Sequence, residues 1–339
     1  MQTLIARRLL FMPLLLVGMT LIAFVVSHTV PADPVAAHLG QRSMEDPAIV
    51  AAFRQQWGLD RPLPEQYLAY LRNLVQGNFG VSIRTHMPVA EDLARYVPAS
   101  AELAITATLV GIALGIPFGV ASAVRRGQWL DHLVRGVSLL GVSSPVFWLG
   151  LVALYIFYFR LGWLPGPGRI DVGMPEPRHL TGMYTVDSLL TGDWSALSSS
   201  LRHLALPGLV LASVYLGLVT RMTRSSMLEV LSADYVRTAR GKGLPQRAVI
   251  YRHALGNALI PTITVLGLAF GDILAGTVLT ETIFSWPGIG RYAYQSSVTL
   301  DFPAIMGVSL VIASVFITVN LATDLAYVLL DPRLRRANR

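Results

Sequence analysis

Two carboxylates, Asp272 and Asp324, sit inside long apolar runs, where a charged group is unfavourable and turns toward a partner or water. Asp272 shares its run with Gly267, Gly271 and Gly276. Three small residues and an acid on one helix can wall a solute pathway. They can equally serve close helix packing, with the acid hydrogen-bonded to a neighbour, and both readings stand. For Asp324, an ion pair at the helix end with Arg333 or a basic loop is the simpler account. Bond-breaking chemistry has less to work with. The 339 residues include 0 Cys, which removes disulfides, thiolate metal sites and cysteine nucleophiles. H-E-x-x-H and G-x-S-x-G are both missing, so a hydrolase inside a membrane lacks its usual machinery. His28, at the edge of an apolar run, reads as interfacial rather than catalytic. No G-x-x-x-x-G-K-[ST] run is present to cradle a nucleotide.

The other chemistry-bearing stretch is 221–257, which is basic and ordered in pattern. Gly241 and Gly243 break a helix-forming run, and Pro245 suits the first position of the next helix, so a helix–turn–helix is predicted to project from the apolar body. Such a loop can be basic for topological reasons alone. Its helix-and-turn chemistry nevertheless fits a docking surface, with small side chains for a partner's groove, Leu244 as an apolar anchor and basic residues at the rim.

The elements that position these residues follow from composition. Charged types make up only 14% of the chain and apolar types 53%, too little charge for a soluble surface, so a lipid bilayer must be the solvent for much of it. Crossing roughly 30 Å of hydrocarbon takes about 20 apolar residues. Six stretches qualify, near 9–26, 99–124, 137–159, 204–220, 258–279 and 303–330, the fourth being the shortest. The fold class is therefore all-α, polytopic and membrane-spanning. The first span follows Arg7 and Arg8 and reads as an uncleaved signal anchor. Basic residues lie between spans rather than along one face, which argues against nucleic acid as a partner.

Six spans place both termini on one side. Grouping the termini with the loops around Arg125 and Arg237 gathers 16 Lys/Arg against 4 Asp/Glu, whereas the other side holds 11 against 14. The positive-inside rule makes the first group cytoplasmic. Residues 1–30 then form a cytoplasmic start and first span, 31–98 an outside cap, and 99–339 a five-helix core carrying the 221–257 loop. In the cap, Tyr67, Leu68, Leu71, Leu74 and Val75 are predicted to share a helix face. The second outside segment, 161–203, is rich in Gly and Pro and is predicted to be mostly irregular. Gly111, Gly115 and Gly119 recur every four residues, a spacing that lets another helix backbone approach, and Pro117 adds a kink.

The 221–257 loop resembles the cytoplasmic signature of ABC importer permeases, in which a short "EAA" helix seats in a groove of the ATPase. Counting back from Gly243 aligns Arg237, Thr238 and Ala239 with that triplet; the Glu is absent, and the closing Leu-Pro becomes Ile260-Pro261 at longer spacing. Both departures are similar to the dipeptide/oligopeptide/nickel branch, whose version reads like Asp234-Tyr235-Val236-Arg237-Thr238-Ala239-Arg240 followed by Lys242-Gly243-Leu244. Gly77-Asn78-Phe79-Gly80, Ser144-Pro145-Val146-Phe147-Trp148, Leu279-Thr280-Glu281-Thr282-Ile283-Phe284-Ser285-Trp286-Pro287-Gly288 and Asp331-Pro332-Arg333 extend the resemblance over nearly the whole chain. The long 161–203 segment is most similar to the B-type dipeptide permeases.

The resemblance implies a type I ABC importer permease in the inner membrane, not an enzyme and without a cofactor of its own. It implies ATP and Mg bound by two separate ATPase subunits, a second homologous permease, an extracytoplasmic solute-binding protein and a peptide cargo. Tyr235, Arg237, Thr238, Ala239, Arg240, Lys242, Gly243 and Leu244 would form the ATPase-coupling loop, and Gly267, Gly271, Asp272 and Gly276 the pathway. Nickel, haem, glutathione or another small solute is the alternative cargo. A channel fits hydropathy alone but leaves the docking loop unexplained.

Overall fold

The computed structural model describes residues 2–29 and 60–330, with isolated helical residues 47, 48 and 51 between them; the side chains of 2–9, 27, 268, 272–276, 324 and 326–330 lie outside that description. The Asp324 side chain and all of Arg333 therefore fall outside the description, as does most of the first half of the 31–98 cap.

Helices carry nearly everything. α1 spans Gln2–Thr29 and α2 Leu63–Val75. α3 covers Val89–Val124, starting ten residues before the expected span. α4 (Trp129–Ser143) and α5 (Val146–Ala153, continued by a π-helical turn, Leu154–Arg160) follow, then α6 (Tyr184–Thr191) and α7 (Trp194–Leu231). α8 is Asp234–Gly241; α9, Leu255–Gly276, is entered through Gln246–Ala248 and a π-helical stretch, Val249–Ala254. α10 (Val278–Ile283), α11 (Ile289–Val298) and α12 (Phe302–Leu330) complete the described residues.

Among the described residues four helices are long and apolar enough to cross a membrane: Val89–Val124, Trp194–Leu231, Gln246–Gly271 and Phe302–Thr323. Leu10–Val26 is a shorter apolar helix. The expected span 137–159 is not one rod, because α4 and the α5 segment meet at 104°. The cause is local. Pro145 excludes the helical region for its predecessor, and Ser144 takes ψ 133 with Pro145 at ψ 129, both extended. The span expected to be shortest, 204–220, belongs instead to the longest helix, 38 residues in α7, which begins inside the supposedly irregular 161–203 segment. Polar residues at its start hid it: Asp193 caps it by accepting from the Ala196 N–H at 3.0 Å. Within that segment the irregular chain is 161–183 and the two residues 192–193 between α6 and α7.

Glycines set the interhelical spacing. A Cβ on Gly111 would lie 2.9 Å from Tyr215 Cβ, one on Gly115 2.8 Å from Val219 Cγ1, and one on Gly119 2.6 Å from Thr223 Cβ, so the four-residue stripe of α3 is the surface on which α7 lies. On its other side α7 meets α4, where Gly217 faces the Ser138 carbonyl and Gly141 the Ser213 carbonyl at 2.6 and 2.7 Å from the would-be Cβ. α12 pairs with α9 and with α1.

The face of α2 is rotated from expectation. Tyr67, Tyr70, Leu71 and Leu74 turn inward, whereas Leu68 (64% exposed) and Val75 (90%) point out. Tyr67 donates to the Val17 carbonyl at 2.9 Å and its ring packs on Phe24, so aromatic side chains, not the leucine stripe, fix α2 against α1.

Candidate coupling site

α8 is built by local signals. Ala233 enters it in extended geometry, and Asp234 in the first turn suits the positive end of the helix. Val236 (0% exposed) and Ala239 (6%) are one turn apart and face inward. They join an apolar cluster with Val120 and Ala123 of α3, Met227 of α7, and Val249, Ile250, Ala254 and Ala258 leading into α9. Burial of Val236 alone is worth about 1.5–3 kcal/mol, enough to hold a helix too short to be stable by itself. The Asn257 amide adds a hydrogen bond to the Tyr235 hydroxyl at 2.8 Å.

The end of α8 is a closed turn. Gly243 N–H donates to the Arg240 carbonyl at 2.9 Å and Leu244 N–H reaches back to Ala239 at 3.4 Å, the two bonds of a Schellman cap. That cap needs a left-handed residue, which Gly243 supplies at φ +75. Gly241, by contrast, is still helical, and Pro245 stands just before the next helix rather than as its first residue. Arg237, Thr238, Arg240, Lys242 and Leu244 are exposed with Tyr235, and nothing lies within 4 Å of a Cβ placed on Gly241 or Gly243. The structure thus brings seven of the eight expected coupling residues to one free surface. Ala239 is the exception, since it serves the seat. Arg237 meets Asp234 at 3.4 Å, a solvent-exposed pair worth about 0–1 kcal/mol that leaves the cation available.

On α9 the glycines face α12: a Cβ on Gly271 would stand 2.7 Å from Phe316 Cδ2, and Gly267 abuts Thr323. Asp272 and Gly276 lie on the same helix, which ends at Gly276, so Asp272 is one turn from its end; the side chains of both fall outside the described residues.

The opposite end of the bundle holds buried polar groups that spacing alone did not reveal. Glu281 is fully buried and has no ion pair among the described residues, accepting from Ser100 Oγ (2.5 Å), Thr277 Oγ1 (2.7 Å) and the Arg291 N–H (2.7 Å). Gly288 lies so close that any Cβ there would strike the carboxylate. Trp286 Nε1 donates to the Ala99 carbonyl at 2.8 Å. Arg169 bonds Glu102 at 2.5 Å, both buried, with its guanidinium 3.7 Å above the Tyr184 ring. Asp187 accepts N–H bonds from Leu180, Thr181 and Gly182; burial pushes its pKa up, but these bonds and the Thr181 hydroxyl outweigh that and hold it below the ordinary carboxylate value. The 279–288 run was the available signal for Glu281; Arg169, the partner of Glu102, lies on a distant segment, whereas Asp187 takes its N–H donors from the loop just before α6.

Residues 115–336 match the family described as "Binding-protein-dependent transport system inner membrane component", and residues 1–104 match its N-terminal companion. The chain is 49% identical over 323 residues to the probable D,D-dipeptide transport system permease protein DdpB of Escherichia coli (strain K12), covering 95% of this chain and 94% of that protein. It is 43% identical to the dipeptide transport system permease protein DppB of Alkalihalophilus pseudofirmus, over 97% and 98% of the two chains. It is 44% identical to the di/tripeptide transport system permease protein DppB of Pseudomonas aeruginosa, over 99% of each. With its bundle of apolar helices and a free helix-and-turn at one end, this chain belongs to the inner membrane component family of binding-protein-dependent transport systems, as a multi-pass permease subunit and not as an enzyme.

Proposed function

We propose that this chain is one of two permease subunits of an ATP-driven importer of dipeptides or short oligopeptides, and that α8 with the Gly243 turn is its contact with an ATPase. The observation that carries the reading is the division of α8 into a buried seat, Val236 and Ala239, and a free face of Tyr235, Arg237, Thr238, Arg240, Lys242 and Leu244. A short helix welded to three others and bare on its outer side is built to pass force from a partner. ATP and Mg belong to two ATPase subunits, the cargo arrives on an extracytoplasmic binding protein, and a second, homologous permease completes the pathway. Counting α1 and the bent α4–α5 pair as one crossing each, beside four long helices, makes six spans, and the charge asymmetry of the loops supports both termini being cytoplasmic. ATP binding favours one access state, and α8 transmits that preference to the bundle. The names of the relatives support a peptide cargo.

The orientation is tested by single-cysteine labelling, which is clean in a chain with 0 Cys. In sealed right-side-out vesicles an impermeant maleimide should modify Pro64→Cys and Gly173→Cys and spare Lys242→Cys; labelling of the last reverses the topology. Cargo class is tested by uptake into proteoliposomes of the reconstituted complex, with unlabelled di- and tripeptides, nickel, haem and glutathione as competitors. Competition by none of the peptides removes the peptide reading.

A further inference from the structure

Asp131, in the first turn of α4, is 1% exposed and gathers donors from three directions. Arg224 of α7 grips it with both arms of its guanidinium, Nε to Oδ1 at 2.8 Å and Nη2 to Oδ2 at 2.9 Å. Ser122, near the end of α3, donates to Oδ1 at 2.5 Å, and the Gly127 N–H of the intervening turn donates to Oδ2 at 3.0 Å. Bidentate geometry of this kind fixes direction as well as distance. Buried ion pairs add little net stability over apolar substitutes of similar shape, so its use here is to hold three elements in register.

Position decides what that register does. Arg224 lies seven residues, about 10 Å of helix, before α7 ends at Leu231, and α8 starts three residues later at Asp234. Beyond Arg224, α3 and α7 meet through glycines against Tyr215, Val219 and Thr223, with the Thr220 hydroxyl on the Gly115 carbonyl at 3.3 Å. Small residues let the two backbones approach closely, and the contact between them here is mainly van der Waals packing, which lacks the directionality of a bidentate ion pair. The α8 seat draws on both helices, Val120 and Ala123 from α3 and Met227 from α7. A push on α8 could therefore shear α3 against α7 unless something locks them.

We propose that the Asp131–Arg224 pair is that lock: a positioning element that makes the end of α3, the start of α4 and the adjoining part of α7 one body, so displacement of α8 moves the bundle instead of being absorbed by sliding. The inference rests on the reading of α8 as the ATPase contact.

The test uses the assembled complex, with the second permease, ATPases and binding protein, in proteoliposomes. Labelled L-Ala-L-Ala or D-Ala-D-Ala serves as probe, whichever the wild type takes up. Asp131→Asn/Arg224→Met removes the lock without leaving an uncompensated charge. It should keep co-purified ATPase within twofold of wild type, while uptake per complex falls at least tenfold and hydrolysis stops responding to loaded binding protein. Uptake per complex within twofold of wild type overturns the lock. Should the double variant not assemble, Arg224→Lys and Ser122→Ala decide: each should lower uptake per complex about two- to fivefold at normal assembly, and no change in either overturns it. Gly243→Val is run beside them. Normal ATPase association in that variant fails the α8 reading by itself, whatever the lock variants do.

Discussion

Leu244 N–H donates to the Ala239 carbonyl at 3.4 Å, closing α8 on itself across Gly243 at φ +75. The same residue pair joins an exposed anchor to a buried seat, so the turn sets where Leu244 stands relative to the bundle.

Replacing Gly243 with Val should strain the left-handed position by about 1–2 kcal/mol or open the cap. The surrounding space is empty, so the damage is confined to backbone geometry and the partner surface. ATPase recovered with the purified permease should drop several-fold while the permease itself is expressed at the normal level. Arg237→Ala, which removes one exposed charge, should change recovery less than twofold; equal loss in both variants contradicts a turn-centred contact.

Gly271→Leu should wedge α9 away from Phe316 of α12 and reduce uptake at least tenfold. Combining it with Phe316→Ala vacates the volume the new side chain needs. Recovery of uptake in the double variant assigns Gly271 to packing, and persistent loss with intact assembly and hydrolysis assigns it to the pathway.

Glu281→Gln places an amide where three donors converge on a carboxylate, turning at least one acceptor into a donor facing another donor. A penalty of about 1–3 kcal/mol is expected, read as a lower midpoint of thermal aggregation in detergent. Glu281→Asp, which keeps the charge on a shorter arm, should fall between. An unchanged midpoint for Glu281→Gln removes Glu281 as the organiser of the 277–291 segment.

Asp187 gives a pH dependence of known sign. Its folded pKa lies below its ordinary value of 3.8, so its contribution is complete above that value and fades as pH falls through the lower folded one. Thermal midpoints of wild type and Asp187→Asn should differ most at neutral pH and draw together as the solution is acidified below the ordinary value. A gap that stays constant from neutral pH down through that acidic range contradicts the assignment.

Sequence alone determined the features that depend on neighbours along the chain. Long apolar runs make helices wherever they fall, four-residue glycine spacing makes a smooth face on any helix, and a glycine closing an amphipathic turn marks a cap whatever surrounds it. These were legible as the apolar spans, the α3 stripe and the Gly243 turn. Tertiary structure decided everything that depends on which surface a face meets. The Gly111–Gly119 stripe specifies close approach without naming α7 as the partner. Ala239 and Thr238 are neighbours in the motif, and only packing against Val120 and Met227 turns one inward and leaves the other free. A buried charge is tolerated through its partner, and those partners stand far off in sequence: Asp131 with Arg224, Glu102 with Arg169, Glu281 with Ser100. Pairing across such separations has no periodic trace in the chain, because desolvation acts on distance in space and not on distance in sequence.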